Sequence, residues 1–204
     1  MTLTIWFSLL LVSMLGAMSP GPSLATVAKH TLSGRRINGI AAAWAHSVGI
    51  GIYAFVTVIG LAVVLQQSPI LFKTISYFGA AYLAYLGYGA LRSTGGIAAK
   101  LESGEQVSLI ESAKEGLLIS LLNPKIALFF IALFSQFVAV GNDPLDKAII
   151  VITPIIVDGL WYTIISCLLS APKIVDKLRA QAKWIDRLSG VVLILLAVRV
   201  VFYT

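Results

Sequence analysis

A chain of 204 residues has the length of one domain, yet 58% of its residues are apolar and only 12% are charged. A soluble domain carries roughly 45–50% apolar and about 25% charged residues, so an ordinary water-soluble protein is excluded: this little charge cannot cover its surface. The net charge of +6 does not point to nucleic acid, because the basic residues fall in alternate loops instead of on one face.

The apolar residues form six blocks, at roughly 3–28, 38–66, 69–91, 113–140, 146–170 and 187–203, against the ~20 residues needed to cross a hydrocarbon core. The first block lacks the basic leader of a secretory signal and runs on past Pro20-Gly21-Pro22, so it reads as a retained helix. In the second, Ala41, Ala45 and Gly49 recur every four residues, a small-residue stripe for close helix packing. His46 lies on the same helix, at a depth where an imidazole can carry a proton or bridge two helices. Gly79 and Gly87 suggest a similar stripe on the third. The fourth contains Asn123-Pro124-Lys125 and the fifth Asp158 and the single cysteine, Cys167. One thiol forms neither an internal disulfide nor a dithiol centre. Before the sixth block, Ile174, Leu178, Ala182 and Ile185 follow helical spacing, with Lys177, Arg179 and Lys183 projecting elsewhere. That stretch reads equally as an interfacial amphipathic helix or as a solvated basic loop.

Charge sets an orientation. Lys29, Arg35 and Arg36 follow block one. Arg92, Lys100 and Lys114 flank the loop after block three. Lys173, Lys177, Arg179, Lys183 and Arg187 follow block five. The opposite loops hold only Lys73 and Lys147. The positive-inside rule then puts the basic loops in the cytoplasm and both termini outside.

Six crossings divide into two groups of three, and an odd group inverts the second relative to the first. The expected architecture is an all-α integral membrane protein: six transmembrane helices as two inverted three-helix repeats, with helices 1 and 4 broken. The whole chain, 1–204, forms one transmembrane domain. Repeat one covers about 1–92, a cytoplasmic loop about 93–112 and repeat two about 113–204. Each repeat opens on a helix with proline deep in an apolar run, and the motifs align with Pro20 opposite Pro124. A proline inside a helix costs ~3 kcal/mol or more in water. In lipid the freed carbonyl must find a protein partner or a wet cavity, so matched breaks mark a site. Lys125 and Asp158 lie ~17 and ~18 Å along their helices at 1.5 Å per residue, near the midplane of a ~30 Å core. Charges at that depth are costly and usually functional, and these two can pair with each other.

Together these motifs resemble the LysE/RhtB family of bacterial amino-acid exporters. Ser19-Pro20-Gly21-Pro22 resembles its Pro-Gly-Pro signature. Gly34-Arg35-Arg36 followed by Gly39 and Gly49 resembles its glycine-spaced loop and second helix. The run from Gly79 to Gly87, GAAYLAYLG, resembles its third-helix motif. Asn123-Pro124-Lys125, then Phe129-Phe130 and Gln136-Phe137, is similar to its NPK…FF…QF run, and Asp158 falls where the family carries a helix-five acid. The chain departs from the pattern at Ala45, where many relatives have glycine, with His46 beside it, and by one extra residue between Arg36 and Gly39.

The resemblance implies a multi-pass protein of the bacterial cytoplasmic (inner) membrane. It implies a secondary transporter that exports amino acids or similar small zwitterions by proton antiport. The substrate- and ion-binding residues expected are Pro20, Gly21, Pro22, His46, Asn123, Pro124, Lys125 and Asp158, with the carboxylate near Lys125 and the amine or proton on Asp158. No metal or organic cofactor is expected, the driving force being the proton gradient. The partners are a small-molecule substrate and the bilayer, not nucleic acid, and a homodimer is compatible with so small a bundle. The rival readings are a non-transporting membrane scaffold, in which Lys125 and Asp158 form a silent pair, an intramembrane enzyme using Asp158 and His46, and a passive channel, which would show flux without proton coupling.

Overall fold

In the computed structural model the described residues are 1–19, 21–92, 108–138 and 143–203, and among them every regular element is helical. Pro20 and most of the loop expected at about 93–112 lie outside them.

Helix α1 (Leu3–Met18) is capped by Thr2 and stops at Ser19, whose backbone is extended. Helix α2 (Pro22–Ser33) restarts at an angle of 62°. Its first residue is Pro22, where the missing N–H costs no intrahelical bond. Helix α3 (Arg36–Gln67) and helix α4 (Pro69–Leu91) complete the first half. The second half opens with α5 (Leu109–Leu122), which starts on a capping box. Ser108 Oγ accepts from the Glu111 N–H, and the Glu111 carboxylate accepts from the Ser108 N–H at 2.9 Å. The chain breaks at Asn123 and bends by 50° into α6 (Pro124–Phe129), a π-helical turn (Phe130–Phe134) and the short α7 (Ser135–Val138). Helix α8 (Pro144–Leu169) carries Pro154 in its interior, and α9 (Pro172–Tyr203) closes the chain.

Proline therefore opens both second segments, so Pro22 is the structural counterpart of Pro124. The sequence alignment had placed Pro20 there. The basic stretch at 173–185, open between loop and amphipathic helix in the sequence, is the first part of α9, continuous with the last apolar block.

The chain is an all-helical membrane protein. Helices α3 over Arg36–Leu61 and α8 are each long and apolar enough to cross a bilayer, and α1–α2 and α5–α6 qualify as bent pairs. Helices α4 and α9, of 23 and 32 residues, pack extensively on each other. Leu3, Phe7, Ile70, Phe78 and Phe202 are among many large apolar side chains on the surface, whereas His30, His46, Asn38, Asn123 and Asp158 are buried. Such a surface is stable only against hydrocarbon.

Between the helices, small residues decide the approach. A Cβ on Gly116 of α5 would strike the Ala42 carbonyl of α3, and one on Gly49 would strike Ser120. The α3 contact line thus runs through Gly49, a member of the expected Ala41–Ala45–Gly49 stripe, and through Ala42, one residue from its start. A Cβ on Gly190 would sit 2.6 Å from the Gly87 carbonyl, and one on Gly79 would sit 2.7 Å from Ala132 Cβ. Without a hydrophobic force between helices in lipid, this close van der Waals approach holds them together.

Candidate functional site

Both helix breaks deprive backbone carbonyls of their helical donors, and the partners of those carbonyls build the site. Asn123 Oδ1 accepts from the Lys125 N–H at 3.0 Å, which caps the restarted helix. The Leu121 carbonyl is thereby released, and the Tyr53 hydroxyl of α3 donates to it at 2.7 Å. At the other break, the Ser19 carbonyl accepts from Lys125 Nζ at 2.8 Å, and Ser19 Oγ lies 2.8 Å from the same ammonium. A residue of the second break thus satisfies a carbonyl of the first. Gly21 leaves room for it, since a Cβ there would lie 3.2 Å from Nζ.

Beside this contact, Asp158 of α8 is 4% exposed and His46 of α3 is 1% exposed. His46 Nδ1 lies 2.7 Å from Asp158 Oδ2, and Ser47 Oγ donates to the same oxygen at 3.1 Å. His46 Nε2 lies 2.8 Å from Ser23 Oγ of α2, which accepts from Asn123 Nδ2 at 3.4 Å. A carboxylate accepts, so the Nδ1 proton points at Asp158. Nε2 then accepts from Ser23 when the ring is neutral and donates to it when the ring is protonated. The Tyr162 ring meets the imidazole edge-on, with centroids 5.3 Å apart. Asp158 is therefore held by His46 and Ser47 and not by Lys125, the partner that depth suggested.

These groups line a cavity of about 40 Å³, closed on its other side by Ile50, Ile126, Phe129, Phe130 and Phe134. That is room for a few waters, at ~10–15 Å³ each by this measure, and far below the ~300 Å³ of a small-molecule pocket. The π-helical turn supplies Phe130 and Phe134, whose rings lie 4.3 Å apart. A larger apolar cleft of about 420 Å³ between α1, α2, α8 and α9 meets this cavity at Ser19 but is lined by no charged side chain. The ionisable chemistry belongs to the small cavity.

Of the residues expected from sequence, His46, Asn123, Lys125 and Asp158 line one cavity. Gly21 touches Lys125, and Pro22 and Pro124 start the two restarted helices. Pro20 lies outside the described residues. Ser23 and Ser47 carry no expectation from sequence; Ser19 belongs there only to the Pro-Gly-Pro signature, and Tyr162, with Trp44, Tyr53 and Trp161, is a candidate pocket ring for which lipid or core packing is the default. The signals of all four are modest: two serines flanking Pro-Gly-Pro, one beside His46, and a tyrosine one helical turn from Asp158. Among the described residues no group of His, Cys, Asp and Glu could hold a metal ion.

A membrane bundle with two broken helices meeting at a buried ionisable cluster has the anatomy of a transporter. The family model for LysE type translocators matches residues 14–204. The chain belongs to that family, and it is a transporter, not an enzyme. The threonine efflux protein of Escherichia coli K12 is 29% identical over 192 residues, covering 92% of this chain and 93% of the relative. An uncharacterized membrane protein of Haemophilus influenzae is also 29% identical over 192 residues, covering 91% and 90%. One from Pseudomonas aeruginosa is 38% identical over 133 residues, covering 60% and 58%. No solved structure matches the chain. Asp158, His46 and Ser23 are the residue types of a hydrolytic triad, here set in a chain of the translocator family.

Proposed function

We propose that this chain exports amino acids across the bacterial cytoplasmic membrane by alternating access, in exchange for protons. The observation that carries the reading is the buried Asp158–His46–Ser23 line, joined through Asn123 to the break from which Lys125 reaches Ser19. The names of the threonine efflux relatives support the substrate class.

The arrangement supports a division of labour. Asp158 and His46 hold the coupling proton. Lys125 is the cation for the substrate carboxylate, aided by the free N–H groups at the start of α2. In the state described here the Ser19 carbonyl and hydroxyl occupy the Lys125 ammonium, and the cavity is too small for an amino acid. Substrate entry requires Lys125 to exchange Ser19 for the carboxylate, which separates the two breaks and opens the cavity. The substrate ammonium and the proton then compete for Asp158, which is the requirement for antiport.

The packing supports two inverted repeats crossing the membrane six times. Exchanging the halves maps α1–α2 onto α5–α7, α3 onto α8 and α4 onto α9. The extensive α3–α8 and α4–α9 contacts map onto themselves, and α3–α5 maps onto α8–α1. The basic loops support cytoplasmic placement of the end that carries Lys29 and Arg35.

The test uses inside-out vesicles with an imposed proton gradient and a panel of labelled amino acids. Accumulation of one or a few, abolished by an uncoupler and by Asp158→Asn, is the expected result. Uncoupler-insensitive flux, or wild-type accumulation by the Asp158→Asn protein, overturns the reading.

A further inference from the structure

The chain has two histidines, and the site accounts for one. The other, His30 of α2, is 0% exposed. Its Nε2 lies 2.9 Å from Glu115 Oε2 of α5, and its Nδ1 lies 3.1 Å from Ser112 Oγ. Ser112 Oγ in turn accepts from Asn38 Nδ2 of α3 at 3.0 Å. The order is carboxylate, imidazole, serine, asparagine. It is the order already seen in Asp158, His46, Ser23 and Asn123.

The surroundings fit both protonation states of the ring. Glu115 accepts the Nε2 proton. When Nδ1 is bare, Ser112 donates to it. When Nδ1 is protonated it donates to Ser112, whose own proton turns to the Ser108 carbonyl 3.0 Å away. A histidine that only braced a helix would need one such arrangement, and this one has two. The charged groups facing it are Glu115 of α5 and Lys29 of α2, while α3 presents the neutral amide of Asn38. Lys29 Nζ binds both Glu115 oxygens, at 3.0 and 2.9 Å, and the Glu115 side chain is 42% exposed. The network therefore opens to water at the end marked by the basic loops. Ser23 and His30 are two helical turns apart on one face of α2, ~10 Å at 1.5 Å per residue.

We propose that Glu115 and His30 form a second proton station, the cytoplasmic port through which the proton carried by Asp158 and His46 leaves the protein. The inference rests on the proton-coupled reading above. In the transfer Ser112 passes its proton to His30 Nδ1 and in the same step takes one from water admitted when the two breaks separate, so the hydroxyl is restored. His30 gives the Nε2 proton to Glu115, and Glu115 releases it to cytoplasmic water. Lys29 holds the emptied carboxylate. A tautomer flip returns the ring to its starting state.

The experiment measures, in proteoliposomes, gradient-driven accumulation and gradient-free exchange of the amino acid that wild type exports. The readout is their ratio for Glu115→Gln, Glu115→Asp and His30→Gln, with Lys114→Gln as a control outside the network. Coupling between two bound ligands is typically worth 5–150-fold. The ratio falls by about tenfold or more in Glu115→Gln and His30→Gln, stays at the wild-type value in Lys114→Gln, and recovers in Glu115→Asp, which keeps a titratable oxygen. A purely structural clasp lowers both activities together and leaves the ratio unchanged. That result, or full accumulation by Glu115→Gln, overturns the second station while leaving Asp158 and His46 in place. A wild-type protein indifferent to the gradient overturns both proposals at once.

Discussion

Replacing His46 with alanine isolates the electrostatics of the site. Asp158 is 4% exposed, and among the described residues the substitution leaves it only Ser47 as a hydrogen-bond donor, a hydroxyl that also lies 3.0 Å from the Ala43 carbonyl. Removing one member of a buried pair costs about 3–5 kcal/mol, because the surviving charge stays in a medium that cannot solvate it. Replacing both members with neutral groups removes that penalty. His46→Ala/Asp158→Asn should therefore be more stable than His46→Ala alone by about 2 kcal/mol or more, although it carries one more substitution. Asp158→Asn alone loses only the charged share of two hydrogen bonds, ~1 kcal/mol each, and no longer buries a charge. The assay is denaturant or thermal unfolding in a fixed detergent, followed by intrinsic fluorescence, over the four-member cycle. An additive cycle, with the double variant the least stable of the four, would refute the paired carboxylate described here.

The remaining predictions concern how the breaks and crossings are held. Tyr53→Phe strands the Leu121 carbonyl beside the second break and should destabilise the protein by about 1–3 kcal/mol in the same unfolding assay. Equal stability would mean that another group satisfies that carbonyl. Gly116→Val forces α5 away from the Ala42 backbone of α3, and the yield of folded, monodisperse protein should collapse. Gly60→Ala, where an added Cβ meets nothing within 4 Å, should be silent in the same measurement.

The membrane class was legible in the letters because a hydrocarbon core demands long uninterrupted apolar blocks, a requirement local in sequence. The two breaks were legible for a similar reason: proline removes a donor wherever it stands, and Pro-Gly-Pro and Asn-Pro-Lys sit where a straight helix is otherwise expected. Depth could be counted along each helix, so His46, Lys125 and Asp158 could be named as interior groups. Their partners could not be. His46 and Asp158 are 112 residues apart, and whether they meet depends on the rotation and crossing of α3 and α8, which are set by close contacts at small residues such as Gly159 against the Trp44 and Ser47 side chains and Gly51 against Ile155. Depth alone offered Lys125 as the partner of Asp158; helix rotation supplied His46 and Ser47 and sent Lys125 to Ser19. The serines were invisible for a related reason. A hydroxyl in a membrane helix can satisfy itself on the carbonyl one turn back, as Ser13 and Ser166 do. Ser112 reaches the Ser108 carbonyl in the same way, and only the packed structure shows that it and Ser23 also face an imidazole.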